Sequence, residues 1–223
     1  MNLRFLISTI FVCMFMVCAV TTISAQTFDI SSGGQPTITG SLGGSVTGSA
    51  NVRNDLVVTI NFGEVSPANT NSLVKVVVPI AIRSTQPYRV SVSLAGSGNA
   101  NPQGLQPSDI GFGAANIRAM GNQSQVCTLS SHIFYPPFNN DPASTVTIAA
   151  NGRATYQSSL SNITGSTVIL SGPRLQKSNN PVRQANDGYI FDAIFAITPQ
   201  FFAAGTSSAT LTFTISAGPN VPC

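Results

Sequence analysis

Charge is scarce in this chain: 8% of its residues are Asp, Glu, Lys or Arg, and the formal net charge is +3. So thin a supply builds no basic field able to grip a phosphate backbone, and nucleic acid is not an expected partner. Tryptophan is absent and histidine occurs once, as His132 in Ser130-Ser131-His132-Ile133-Phe134-Tyr135. A hydrolytic triad needs a base and a zinc site needs several His or Cys ligands at local spacing. A lone histidine beside aromatics supplies neither, and reads as a packing or surface residue. Glutamate also occurs once, at Glu64, and the candidates for a glycosidase pair are Glu64 with Asp109, Asp141, Asp187 and Asp192. Most of these stand beside Gly or Pro, as turn residues do. Asn139-Asn140-Asp141 and Asn186-Asp187 lack the dense alternation of acids in a calcium loop. The expectation is a protein that is not an enzyme and holds no metal or cofactor.

Cysteine is sparse too, and its placement depends on the N-terminus. Met1-Asn2-Leu3-Arg4 is a short basic start, residues 5–20 are almost wholly apolar, and Thr21-Thr22-Ile23-Ser24-Ala25-Gln26 follows. That is the pattern of a secretory signal peptide over residues 1–25, cleaved after Ala25. The rivals are an uncleaved anchor, for which the apolar run only approaches the length needed, and a lipoprotein acylated at Cys18, where Met16-Val17 stand in place of a small residue. Cleavage leaves a secreted, extracellular or cell-surface protein with no membrane span. Of the four cysteines, Cys13 and Cys18 go with the leader and Cys127 and Cys223 remain. In an oxidising compartment these two can pair, the alternatives being two independent thiols or an intermolecular bond through the last residue.

No segment of any length shows helical spacing of apolar residues, whereas alternation with period two recurs from end to end. Leu56, Val58, Ile60 and Phe62 share one parity before a turn at Gly63-Glu64-Val65-Ser66-Pro67. Residues 73–82 are apolar on both faces apart from Lys75 and suit a central strand, although Pro79, which lacks a ladder donor, implies an edge or bulge. Tyr88, Val90, Val92 and Leu94 alternate with Arg89, Ser91 and Ser93. Residues 99–142 are Pro-rich and read as loops, with short pieces at 110–112 and 126–129. Strands resume at 144–149 and 154–160 across Asn151-Gly152, a hairpin signal, and at 167–170. Residues 189–198 and 210–215 read as paired core strands. Many strands with no helices between them predict an all-β, immunoglobulin-like β-sandwich over residues 51–223, with a closed β-barrel as the alternative.

Residues 26–50 form a Gly/Ser/Thr-rich extension. Through residues 37–50, odd positions are small and polar while even ones carry Ile38, Leu42 and Val46 among glycines and Ala50. As a strand, that would lay spaced apolar knobs into a groove, which strand addition requires. Ile38, Leu42 and Val46 are therefore a candidate donor face, unless the segment is an ordinary first strand or hairpin of its own domain.

Ile60-Asn61-Phe62-Gly63-Glu64-Val65-Ser66-Pro67, then Pro87-Tyr88-Arg89-Val90-Ser91-Val92-Ser93-Leu94, resembles the opening of spore coat protein U and the chaperone-usher pilin subunits. The ending, Ile197-Thr198-Pro199, Ala204-Gly205-Thr206 and the strand over residues 209–215, is similar to theirs as well. The resemblance implies an incomplete immunoglobulin-like fold completed by a strand from a chaperone or from the next subunit. The chain departs from the pattern at Ala81-Ile82-Arg83-Ser84, where such subunits usually carry a cysteine. Taken together, a secreted structural or adhesive subunit, fimbria-like and self-associating by strand addition, is the leading expectation. The other is a monomeric extracellular module for surface carbohydrate, with Phe134, Tyr135 and Phe138 as an aromatic platform. Asn122-Gln123-Ser124 and Asn162-Ile163-Thr164 match the glycosylation sequon.

Overall fold

A computed structural model describes residues 28–40, 45–52, 54–65, 73–98, 104–121, 126–150, 154–175, 187–198 and 205–223. The leader expected over residues 1–25, with its cleavage site, lies outside them. In chain order the elements are β1 (Phe28–Ser32), β2 (Thr37–Thr39), β3 (Ser45–Val52), β4 (Asp55–Val65), β5 (Val74–Ser84), β6 (Tyr88–Gly98) and β7 (Gly111–Met120). Then come β8 (Ile133–Phe134), a one-turn helix α1 (Pro142–Thr145), β9 (Thr147–Ile148), β10 (Ala154–Thr155), β11 (Thr167–Gly172), β12 (Gly188–Ile197) and β13 (Gly205–Ala217). The antiparallel strands form a five-stranded sheet ordered β1-β5-β12-β7, with β2 also on β5, and a six-stranded sheet ordered β3-β4-β13-β6-β11-β8. Each has two distinct end strands and neither closes on itself, so the molecule is an all-β sandwich and not a barrel.

The core follows from the alternation. Leu56, Val58, Ile60 and Phe62 of β4, Val90 and Val92 of β6, and Leu211, Phe213 and Ile215 of β13 point inward from one sheet. They meet Val76, Val78, Ile80 and Ile82 of β5 and Phe191 and Phe195 of β12 from the other. Phe191 and Phe213 touch across the layers in an edge-on pair with centroids 6.4 Å apart. The terminal strands thus face each other from opposite sheets: β12 lies between β5 and β7 while β13 lies between β4 and β6. This corrects the expectation that they pair. Both are apolar enough to be central, and each satisfies its two ladders with strands distant in sequence.

β12 is buried at every position, so both its faces are covered. The inner face packs on the opposite sheet; the outer, with Ile190, Asp192, Ile194 and Ala196, lies under the Pro-rich middle of the chain, where α1 rests against β12 and β7. Gly111 and Gly113 share that outer face by register, opposite Ala196 and Ile194. A Cβ on Gly113 would lie 2.1 Å from the Asn140 carbonyl oxygen, so glycine there lets the covering segment seat directly on the sheet. Lys75 on β5 fastens the cover through an ion pair with Asp141. Residues 144 and 145 are helical rather than extended because Asp141 caps the turn, accepting from the Ala143 N–H at 3.0 Å, and Pro142 fits its first position. The expected hairpin around Asn151-Gly152 survives as the short β9–β10 pair, its turn lying outside the described residues.

The middle also contributes a strand. The sequence reading of residues 99–142 as loops overlooks β7, whose Gly-Phe-Gly-Ala-Ala run has too little apolar alternation to declare itself. Its ladder with β12 slips where residues 116 and 117 oppose Phe191, a bulge in which Asn116 takes φ 58°. Beyond β7, the Phe112 and Ala114 N–H groups donate to the carbonyls of Ser158 at 3.1 Å and Phe138 at 2.7 Å, so this sheet edge is occupied.

The opposite edge is built by the N-terminal segment. β1 pairs with residues 80–84 and β2 with residues 75–77 of β5, and the chain then crosses to the other sheet, where β3 pairs with β4. Gly40 begins the crossing at φ +103°, its Cα so placed that a Cβ would lie 2.8 Å from the Leu73 carbonyl oxygen. β1, β2 and β3 thus share one stretch of chain between the two sheets, and the expected division at 50/51 falls inside β3. Pro79 stands in a central strand opposite the interval between β1 and β2. Its carbonyl accepts from the Gly33 N–H at 2.8 Å, and since N and C=O of one strand residue point the same way, its missing donor faces that interval.

Candidate functional site

The aromatic residues expected to form one platform are separated by the fold. Phe138 is 1% exposed, its ring packed on Phe112 with centroids 5.4 Å apart, and it is a core residue, which corrects the expectation. The tight turn that turns it inward is closed by its N–H donating to the Tyr135 carbonyl at 3.0 Å. Phe134 sits half-buried in β8, opposite Leu170. Tyr135 lines an open surface feature.

That feature is a depression of about 530 Å³ lined by Arg89, Tyr135, Val168, Ala217, Gly218 and Pro219. Register explains how these distant residues meet. Ser216 of β13, Arg89 of β6, Ser171 of β11 and Ile133 of β8 form one row across the outer face of the six-stranded sheet. Thr214, Ser91 and Val168 form the next row, Val168 reaching this face because the ladder slips between Val168 and Leu170. The Arg89 Nε donates to the Ser216 Oγ at 3.1 Å, and among the described residues the guanidinium meets no carboxylate. The Tyr135 hydroxyl is held by the Ser171 Oγ at 3.0 Å, which fixes the ring as a wall. The outward direction of Arg89 follows from alternation along β6, but nothing local in the sequence brings Tyr135 and Pro219 beside it.

His132 lies inside the end of the sandwich near the disulfide. Its Nδ1–H donates to the Leu129 carbonyl at 3.0 Å, and because a carbonyl only accepts, Nε2 must accept the Tyr88 O–H at 2.8 Å. The ring stands edge-on to Tyr189, with centroids 4.4 Å apart. The Tyr189 hydroxyl in turn sits among the carbonyls of Arg174 at 3.2 Å and Cys127 at 3.4 Å. Burial lowers the His132 pKa to about 4, the Leu129 hydrogen bond opposing this weakly, and burial raises those of Tyr88 and Tyr189. At neutral pH every member is uncharged, so this is a packed polar cluster, as a lone histidine among aromatics suggests.

An acid response follows. The unfolded histidine titrates near 6.5 and the folded one near 4, so the unfolded state binds the extra proton between those values. Stability contributed by the neutral ring is complete above about pH 6.5 and is lost as the pH falls through 4. Allowing for the ring's partial contact with solvent, the loss is on the order of 2 kcal/mol. Urea unfolding at pH 7 and pH 4 should show His132→Gln removing that part of the acid sensitivity. An identical pH dependence in the variant would refute the assignment.

The carboxylates mostly hold the fold. An Asp109 side-chain oxygen accepts from the Gln106 N–H at 3.0 Å and Asp141 caps α1, both at turns as expected. Asp192 instead sits mid-strand, bound by Arg118 at 2.9 Å and the Asn116 amide at 3.2 Å. Among the described residues no three His, Cys, Asp or Glu gather in a way that could hold a metal ion. No described helix is long and apolar enough to cross a membrane.

The candidate donor face is divided between the sheets. Ile38 lies on β2, opposite Val76 and 39% exposed, and Val46 lies on β3, opposite Ile60, while Leu42 is outside the described residues. On β1 of the same segment, Ile30 is buried, 1% exposed. In sequence, Ile30 shares with Phe28 the even parity of Ile38 and Val46, but Gly33-Gly34 interrupts the run between them. Cys127 and Cys223 are bonded, with Cα atoms 5.0 Å apart. The fold is thus that of a disulfide-linked all-β sandwich. Comparison with protein-family models, curated proteins and solved structures finds no match for this chain.

Proposed function

We propose that the protein is an exported structural or adhesive subunit of a cell surface, assembling by exchange of its N-terminal strands between copies. The observation that carries this is that one terminal segment, residues 28–52, provides an edge strand to each sheet and seats Ile30 between them. Without it, β5 and β4, eleven residues each, would offer unpaired edges and an apolar groove. A segment that completes its own domain in this way completes a neighbour's by the same contacts, with the crossing near Gly40 as the hinge. The far edge at β7 is occupied, which leaves the N-terminal side for addition. The resemblance of both ends of the domain to spore coat protein U and pilin subunits supports the same reading.

Size-exclusion chromatography of the exported protein should show species larger than the monomer that grow with concentration. Deleting residues 28–50 should abolish them, and a synthetic peptide of that segment should bind the truncated chain. A full-length protein that stays monomeric at every concentration, with no peptide binding by the truncated form, would sink the reading.

A further inference from the structure

We propose that the depression on the outer face of the six-stranded sheet binds an acidic saccharide, with Arg89 gripping the sugar's carboxylate and Tyr135 packing against its ring. Arg89 is the one formally charged residue among those lining the depression. With Nε committed to Ser216, the guanidinium keeps its terminal N–H groups for an incoming oxyanion pair, a geometry that matches a carboxylate. In a chain with so few charges, a cation in the wall of an open hollow that meets no carboxylate among the described residues is a specific feature.

The rest of the lining selects the class of molecule that carries the carboxylate. Tyr135 offers an amphipathic ring whose hydroxyl is anchored by Ser171, and Val168, Ala217 and Pro219 add small apolar surface. Thr214 and Ser216 set half-buried hydroxyls on the same face, beside the lining residues. Apolar patches interleaved with hydroxyls suit a hydrated ring with one apolar side, whereas a greasy ligand would need a deeper apolar pocket. The site lies over β13, β6 and β11, strands with which β1, β2 and β3 do not pair, and does not depend on strand exchange.

The test is a titration of the isotope-labelled exported protein, followed by amide shifts, with digalacturonate, its neutral counterpart digalactose, and acetate. Digalacturonate should shift residues 89, 135, 168 and 217–219, and digalactose should bind at least roughly tenfold more weakly for lack of the charge-assisted pair. Arg89→Gln and Tyr135→Ala should each weaken the acidic sugar by a similar factor while leaving the remainder of the amide spectrum in place. Shifts elsewhere or none, equal binding of the two sugars, or full binding by Arg89→Gln would overturn the proposal. Equal effects from acetate at the same concentration would overturn the saccharide assignment, reducing the site to a bare anion contact.

Discussion

Replacing both Cys127 and Cys223 with serine should lower the unfolding free energy of the oxidised protein by about 4–5 kcal/mol. The bond joins residues 96 apart in sequence, so it removes from the unfolded chain the freedom of nearly its whole second half. It also has local work in the folded state. The Cys127 N–H donates to the Leu175 carbonyl at 3.0 Å and its own carbonyl lies 3.4 Å from the Tyr189 hydroxyl, beside His132. The far end pins the C-terminal tail, where Val221 is buried and Pro219 forms a wall of the depression. Thermal unfolding of the double variant should fall by about 10–20 °C for a chain of this size. Equal midpoints for the oxidised parent and the variant would show that the bond does not restrain the unfolded state.

Phe138→Ala should cost about 3–5 kcal/mol, the range for deleting a large aromatic from a packed interior. The ring touches Phe112, which itself packs on Phe195 at 5.1 Å and Phe213 at 6.4 Å, so truncation opens a cavity beneath a four-ring cluster spanning both sheets. Collapse into the void is resisted by the backbone. The Phe138 carbonyl is fixed by the Ala114 N–H at 2.7 Å and its N–H by Tyr135. Urea unfolding would show the loss as a lower midpoint with little change in slope. A cost below about 1 kcal/mol, the level of an ordinary surface substitution, would return Phe138 to the role of an exposed platform residue.

Much of this architecture was legible in the chain before folding. Strict alternation in Leu56-Val57-Val58-Thr59-Ile60-Asn61-Phe62 gives a strand with one wet and one dry face whatever surrounds it, and β4 is buried in that pattern. The disulfide was legible for a different reason: setting aside the expected leader leaves two cysteines, and two have one way to pair within a chain. β7 was hidden because Gly111 and Gly113 are chosen for the segment that lies on top of them, a contact with no local signature. Phe134, Tyr135 and Phe138 look alike in sequence, yet one tight turn turns the last inward and leaves Tyr135 at a surface hollow.

Sequence alone determined the class, many amphipathic strands and one pair of cysteines, because those properties belong to neighbouring residues. Tertiary structure decided which strands became partners, that β12 and β13 oppose rather than pair, that one N-terminal segment closes both sheets, and that Arg89 shares a hollow with Tyr135 and Pro219. Those outcomes depend on ladder register between strands far apart in sequence, as between Thr59 and Thr210, 151 positions apart, and on surfaces that exist only once the layers have closed. No local pattern of side chains carries that information.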